Sequence, residues 1–198
     1  MATDAAYLTP IDKPKGLLMK VLYWVMRRQF GMVPRPLSVF SARMPLAFTR
    51  FFAKVSQLDK KLELPYETAF LVREQVKGVN GCAWCMDLGR WYAANKMPQM
   101  LPKMDALQQY RISQLFTDQE RAALDFATEL TEHKHVSPET FAELSRHFSE
   151  REICDVVWCV SSEHLYNINN HGLNIGSDGL CKVPGTSWVT DDRDRLAG

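Results

Sequence analysis

The sequence predicts an all-α protein, on three observations. No run shows apolar–polar alternation of period two bounded by turns, so strands have no footing. Apolar residues instead recur at helical spacing, as in Ala123, Phe126, Ala127 and Leu130. Two helix starts are written in the same form, Phe116-Thr117-Asp118-Gln119-Glu120 and Phe148-Ser149-Glu150-Arg151-Glu152. In each, a hydroxyl residue is followed three positions later by Glu, which is the capping box.

Taken in order, residues 1–12 read as a loose arm. Residues 13–31 then form a helix ending at Gly31, with Leu18, Leu22, Val25 and Met26 as its apolar stripe. Val33-Pro34-Arg35-Pro36 is a stiff connector, because each proline disfavours helix at the residue before it. A short helix over 37–44 is expected to stop at Pro45, and a second over 46–58 to be anchored by Phe48, Phe51 and Phe52. Pro65 opens the helix that carries Glu67, Phe70, Leu71, Glu74 and Val76 toward the break at Gly78–Gly81. A helix follows to Ala94, then a link punctuated by Pro98 and Pro102. The two capped helices come next, with one opened by Ser137-Pro138 between them. The longest apolar helix runs from Ile153 to about Asn170. The domain reading is an arm and helix over 1–30, a helical domain over 31–176 and a tail over 177–198.

The net charge is +1 with 24% charged residues, which gives no basic excess for nucleic acid. The longest apolar run, Val21 to Met26, is far short of the roughly 20 residues a membrane span needs. No secretory pattern opens the chain, and the expectation is a cytoplasmic protein. The five cysteines are odd in number and unevenly spaced, unlike a secreted disulfide framework.

Cys82 and Cys85 carry the sharpest chemistry. A Cys-x-x-Cys at a helix start brings two thiols within one turn, and the helix N-terminus favours the thiolate of the first. Asn80 is expected to cap that helix and Gly81 to let the backbone turn. Two plainer readings stand beside this one. The pair could be buried packing, or half of a zinc site, although no second pair of matching spacing supplies the other ligands. Cys154 and Cys159 read as core and Cys181 as a loop residue. Neither a metal nor another cofactor is expected.

The Val79-Asn80-Gly81-Cys82-x-x-Cys85 core, the upstream GMVPRPLSVFSARMPLAFTRFF and the downstream FTDQERAALDFATELTEHKHVSPETFAELSRHFSEREICDVV resemble the carboxymuconolactone decarboxylase and alkylhydroperoxidase-D-like superfamily over residues 30–176. The resemblance implies a compact AhpD-like helical domain assembling as a homo-oligomer, with its Cys pair opening a central helix. It implies that Cys85 attacks a hydroperoxide and that Cys82 resolves the sulfenic acid to a disulfide, which a dithiol reductant protein then reduces. The family's proton-relay positions fall on Gly89, Trp84 and Phe70, none of which can perform that task. Glu67 is the first choice for the missing carboxylate and Glu74 the second, because both share a face of the preceding helix.

Residues 161–174 are more polar than a core helix requires, with Glu163–Asn167–Asn170 and His164–Asn167–His171 at helical spacing. His164 or His171 is the candidate for proton transfer, since histidine titrates near neutrality; the alternative is that these groups satisfy backbone at the helix end. Phe70, Trp84 and Asn167 are read as walls of the substrate pocket. The functional expectation is a thiol-dependent peroxidase acting on a hydroperoxide. The alternatives are a decarboxylase-like enzyme acting on a small organic acid or lactone without the thiols, and a non-catalytic binding protein.

Overall fold

The computed structural model describes residues 5–180, all but the Ala47 side chain. Among them are nine α-helices and no strand: α1 Leu17–Phe30, α2 Arg35–Val39, α3 Pro45–Asp59, α4 Tyr66–Val79, α5 Ala83–Lys96, α6 Leu101–Asp105, α7 Asp118–His133, α8 Pro138–Ser145 and α9 Glu150–Gly172. Single 3-10 turns at Ser41–Arg43, Pro98–Met100 and Leu107–Gln109 fill the links.

Both expected capping boxes form. Thr117 accepts from the Glu120 amide while Glu120 accepts from the Thr117 amide, and Ser149 and Glu152 do the same for α9. The segment 37–44 is not one helix. It divides into α2 and a 3-10 turn, and Pro45 opens α3 rather than ending its predecessor, because a proline loses nothing at a first turn whose N–H has no helical partner. The expected stripe of α1 holds in part, since Leu22 and Met26 pack against the Met19–Tyr23–Leu37 cluster. Met19 and Tyr23 are buried, with the Tyr23 hydroxyl donating to the Ile11 carbonyl at 2.7 Å, while Leu18 and Val25 face out. On α3, Phe48 packs against the Met19–Tyr23–Leu37 cluster, but Phe51 and Phe52 are exposed.

Helix α4 is the centre of the fold. On one side Ala69, Val72 and Val76 pack with Ala123, Phe126 and Ala127 of α7 and with Val156, Cys159 and Val160 of α9. Ala123 and Ala127 lie at zero exposure, and side chains this small let α7 approach α4 closely. On another side Phe70 and Leu71 join Ala93, Met97, Met100 and Met104 from α5 and the links after it. Asp155, in the second turn of α9, accepts from the Glu63 and Leu64 amides at 2.7 and 3.2 Å and so fixes where α4 begins. Arg73 reaches from α4 to Ser162 on α9 and Asp59 at the end of α3, both at 2.8 Å. These fixings hold the start and middle of α4 against α9 and the end of α3.

Candidate functional site

Two helices meet at the Cys pair through a sharp turn. Asn80 closes α4, Gly81 adopts φ 65°, and Cys82 is the residue that caps α5. A left-handed φ there is readily taken by glycine alone. The Cys82 amide donates back to the Lys77 carbonyl at 3.0 Å, which binds the new helix to the end of the old one. Asn80 does not cap α5 as expected. Its side-chain amide instead donates to the Asn167 carbonyl oxygen at 2.9 Å and lies 3.3 Å from His164 Nδ1.

Cys82 and Cys85 are joined in a disulfide, with their Cα atoms 5.2 Å apart. They are 1% and 2% exposed, so the bond is sealed from solvent. Two amides of α9 are aimed at it. Asn167 Nδ2 lies 3.1 Å from Cys85 Sγ, and Asn170 Nδ2 lies 3.3 Å from Cys85 Sγ and 3.6 Å from Cys82 Sγ. Cys85 therefore receives two donors at the closer distances. An N–H directed at sulfur favours the thiolate over the thiol once the bond is reduced.

Behind the sulfurs lies a buried charged cluster. Asn167 also donates to Glu163 at 2.8 Å, and Lys77 binds Glu74 at 2.5 Å. Glu74, Glu163 and Lys77 are all buried. Burial pushes the Glu74 carboxyl above its ordinary value, against the pull of the Lys77 ammonium, and the Glu163 charge adds to the rise. Burial by itself would lower Lys77, but Glu74 and Glu163 together push it above the ordinary lysine value.

The remaining candidates divide. Glu67 sits on the exposed first turn of α4 and accepts from Gln99 at 3.3 Å, away from the sulfurs. His171 is exposed at the last turn of α9, while its neighbour Asn170 points inward. His164 is half-buried beside Asn80, and its Nε2 is buried without a hydrogen-bond partner. Burial, aided by the Lys134 charge, holds its pKa below the ordinary histidine value. Phe70 is buried in the Met97–Met104 cluster, and Trp84 donates its indole N–H to Asp178 at 2.7 Å. Asp178 also pairs with Arg35 at 3.1 Å, and Asp87 accepts from Ser177 Oγ and the Leu180 amide, both at 2.8 Å. Residues 177–180 are thereby strapped across the first turns of α5. Cys159 is buried, as expected, and burial pushes its thiol up to about 11, whereas Cys154 is exposed. Cys181 lies outside the described residues. Sequence reasoning missed Lys77, although a Lys three residues after Glu74 on a mostly apolar helix was the available sign.

No family model matches the sequence. The chain is 27% identical over 183 residues to YnjA, an uncharacterised protein of Escherichia coli, covering 89% of this chain and 97% of that one. Among solved structures it is similar to the debrominase Bmp8, with a TM-score of 0.73 and 19% identity over 90% of this chain and 95% of Bmp8. It is also similar to the alkylhydroperoxidase AhpD core of a peroxidase-related protein from Ralstonia eutropha, with a TM-score of 0.66 and 19% identity over 81% of this chain and 85% of that one. No helix among the described residues is long and apolar enough to cross a membrane. With its helices in this order and a Cys pair opening α5, the chain has the all-α AhpD-like fold.

Proposed function

We propose that the protein is a dithiol oxidoreductase that reduces hydroperoxides through Cys82 and Cys85. The observation that carries this is the disulfide at the start of α5 with two asparagine amides directed at its sulfurs. Cys85, which receives both amides at the closer distances, is the attacking thiolate. It takes the terminal oxygen of the hydroperoxide, the O–O bond breaks, and an alcohol leaves once protonated, with Cys85 as the sulfenic acid. The Cys82 thiol then attacks that sulfur, the disulfide forms and water leaves. An external dithiol reductant closes the cycle. Because the bond is sealed, the strap at 177–180 or the end of α9 must open for that partner to reach it. Assembly of copies belongs to the same reading, and the exposed outer face of α1, Leu17, Val21 and Trp24, offers an apolar surface for it.

A second substrate class is favoured by the likeness to Bmp8, of which a cysteine-to-alanine variant has been solved in complex with 2,3,4-tribromopyrrole. The same dithiol could take a halogen from an electron-rich ring, releasing halide and leaving a disulfide, with a proton replacing the halogen on the ring.

The test is to treat the reduced protein with an alkyl hydroperoxide or a brominated pyrrole and map the thiols by mass spectrometry, with Cys85→Ser as control. A Cys82–Cys85 disulfide formed with the hydroperoxide and lost in the control is the expected result. Two unmodified thiols with both reagents would remove the dithiol reading and leave the acid–base alternative at Glu163 and His164.

A further inference from the structure

The two sulfurs of the disulfide are not held alike. Cys85 Sγ has Asn167 Nδ2 at 3.1 Å and Asn170 Nδ2 at 3.3 Å, whereas Asn170 Nδ2 lies 3.6 Å from Cys82 Sγ. The Asn167 amide is fixed from three sides. Its Nδ2 also donates to Glu163 at 2.8 Å, and its carbonyl oxygen accepts from Asn80 at 2.9 Å, which keeps an N–H on Cys85. Cys82 caps α5, but its side chain accepts no cap hydrogen bond, so the helix N-terminus gives that sulfur no donor in exchange. Access differs in the opposite sense. Cys82 is flanked in the chain by Gly81 and Ala83, both exposed, and a Cβ at Gly81 would meet no atom within 4 Å beyond its chain neighbours. Cys85 is flanked by Trp84 and Met86, both half-buried, and residues 177–180 are fastened to Trp84 and Asp87 on either side of it. An electron pair arriving at Cys85 meets two donors, while a nucleophile finds less in its way at Cys82.

We propose that the dithiol reductant attacks Cys82, which carries the mixed disulfide, while Cys85 leaves as a thiolate whose charge Asn167 and Asn170 receive. This rests on the dithiol reading above and says how its cycle closes. The reductant's thiolate forms a bond to Cys82 Sγ, the Cys82–Cys85 bond breaks, and its electron pair goes to Cys85. The reductant's second thiolate then attacks its own sulfur in the mixed disulfide. The reductant departs as a disulfide, one of its two protons passes to Cys82 and the other to water, and the protein has gained two electrons. In thiol–disulfide exchange the sulfur with the better-stabilised thiolate leaves faster, and the donors place that sulfur at Cys85. The first step thereby frees the same thiolate that next meets the hydroperoxide.

The probe is 2-mercaptoethanol, a monothiol that forms the mixed disulfide and has no second thiol to resolve it. The folded disulfide form is mixed with it and quenched in acid at the earliest times, and the freed thiols are capped with N-ethylmaleimide. Both cysteines fall in one tryptic peptide, 78–90, so fragmentation in the mass spectrometer locates each group. The monothiol on Cys82 with maleimide on Cys85 is expected to exceed the reverse by about tenfold or more. Asn167→Ala is expected to lower that ratio about fivefold, because it takes a donor from the leaving sulfur; a merely structural loss would change the rate and leave the ratio. The monothiol mainly on Cys85, or equally on both, overturns the proposal. So does a ratio that Asn167→Ala leaves unmoved in a chain shown folded by circular dichroism. Should Asn167→Ala not fold, the wild-type ratio decides. A folded disulfide that 2-mercaptoethanol never opens overturns it as well. Reduced protein untouched by a hydroperoxide removes the hydroperoxide substrate alone, since no step of this exchange uses one.

Discussion

Helix α4 buries two sides that are built on opposite principles. Toward α7 it presents Val72 and Val76 to Ala123 and Ala127, all at zero exposure and all apolar. Toward α5 and the later turns of α9 it presents Glu74, Lys77 and Asn80 to Gly89, Glu163 and Asn167. The first contact stabilises the fold whatever the exact partner, since apolar burial is non-directional and contributes roughly 25 cal/mol per Å². The second is stable only while every partner is present, because each buried charge has given up water for one specific neighbour. The difference teaches that the helix is anchored by one side so that the other can hold groups that do not by themselves favour folding.

Removing a partner from the polar side should therefore have the largest effect. Lys77→Met leaves Glu74 and Glu163 buried without their shared ammonium, and the expected loss is about 3–5 kcal/mol. Urea unfolding measures it, and adding Glu74→Gln to the same chain should recover part of the loss. A loss below about 1 kcal/mol would mean that water already reaches the cluster. The apolar side should respond differently. Val72→Ala removes two methyl groups from a closed contact and is expected to cost about 2 kcal/mol, with the rate of disulfide formation unchanged. A change in thiol chemistry there would show that the two sides are coupled through the helix. Asn167→Ala should sharpen the contrast at the sulfur. It removes one of the two amides directed at Cys85, a bond to charged sulfur worth about 1.5 kcal/mol, so alkylation of the reduced thiol should slow about tenfold near pH 7. Unchanged alkylation would show that Asn170 is sufficient.

How much of this could be read beforehand follows the range of the forces involved. The capping boxes at Thr117 and Ser149 were legible because their donors and acceptors lie three residues apart. The Cys pair and the Glu163–Asn167–Asn170 face were legible for the same reason, being relations within one helix. The choice between Glu67 and Glu74 was not. They share a face of α4 but lie about 10 Å apart along its axis, at 1.5 Å per residue, so one meets Gln99 and the other the Cys85–Gly89 turn. Only the packing of α4 on α5 decides which residue lies where. Gly89 shows the same limit from the other direction, since in the sequence it is a missing side chain and in space it is the room that another residue occupies. Likewise α1 keeps half of its expected stripe, Leu22 and Met26, but centres its buried face on Met19 and Tyr23, whose hydroxyl finds the Ile11 carbonyl.

The smallest effect belongs to His164, which lies between the two sides of the comparison. Its Nδ1 faces Asn80 and its buried Nε2 has no partner, so the neutral ring fits and a charged one does not. Its pKa is lowered in the folded protein, chiefly by burial, so below the ordinary value of about 6.5 the unfolded chain takes up a proton that the folded chain refuses. Stability contributed by this residue is therefore full above about pH 6.5 and is lost as the pH falls toward the folded pKa. Glu74 has the opposite sign. Its raised pKa makes the folded state hold a proton more tightly than the unfolded chain, so its contribution grows on acidification. The two are separated by comparing wild type with His164→Asn, which keeps Glu74 and removes the imidazole. Urea unfolding at pH 7.5 and pH 5 should show wild type losing more stability than the variant over that interval. Equal losses would mean that the ring turns to solvent when it charges, and that the space around Nε2 opens without cost.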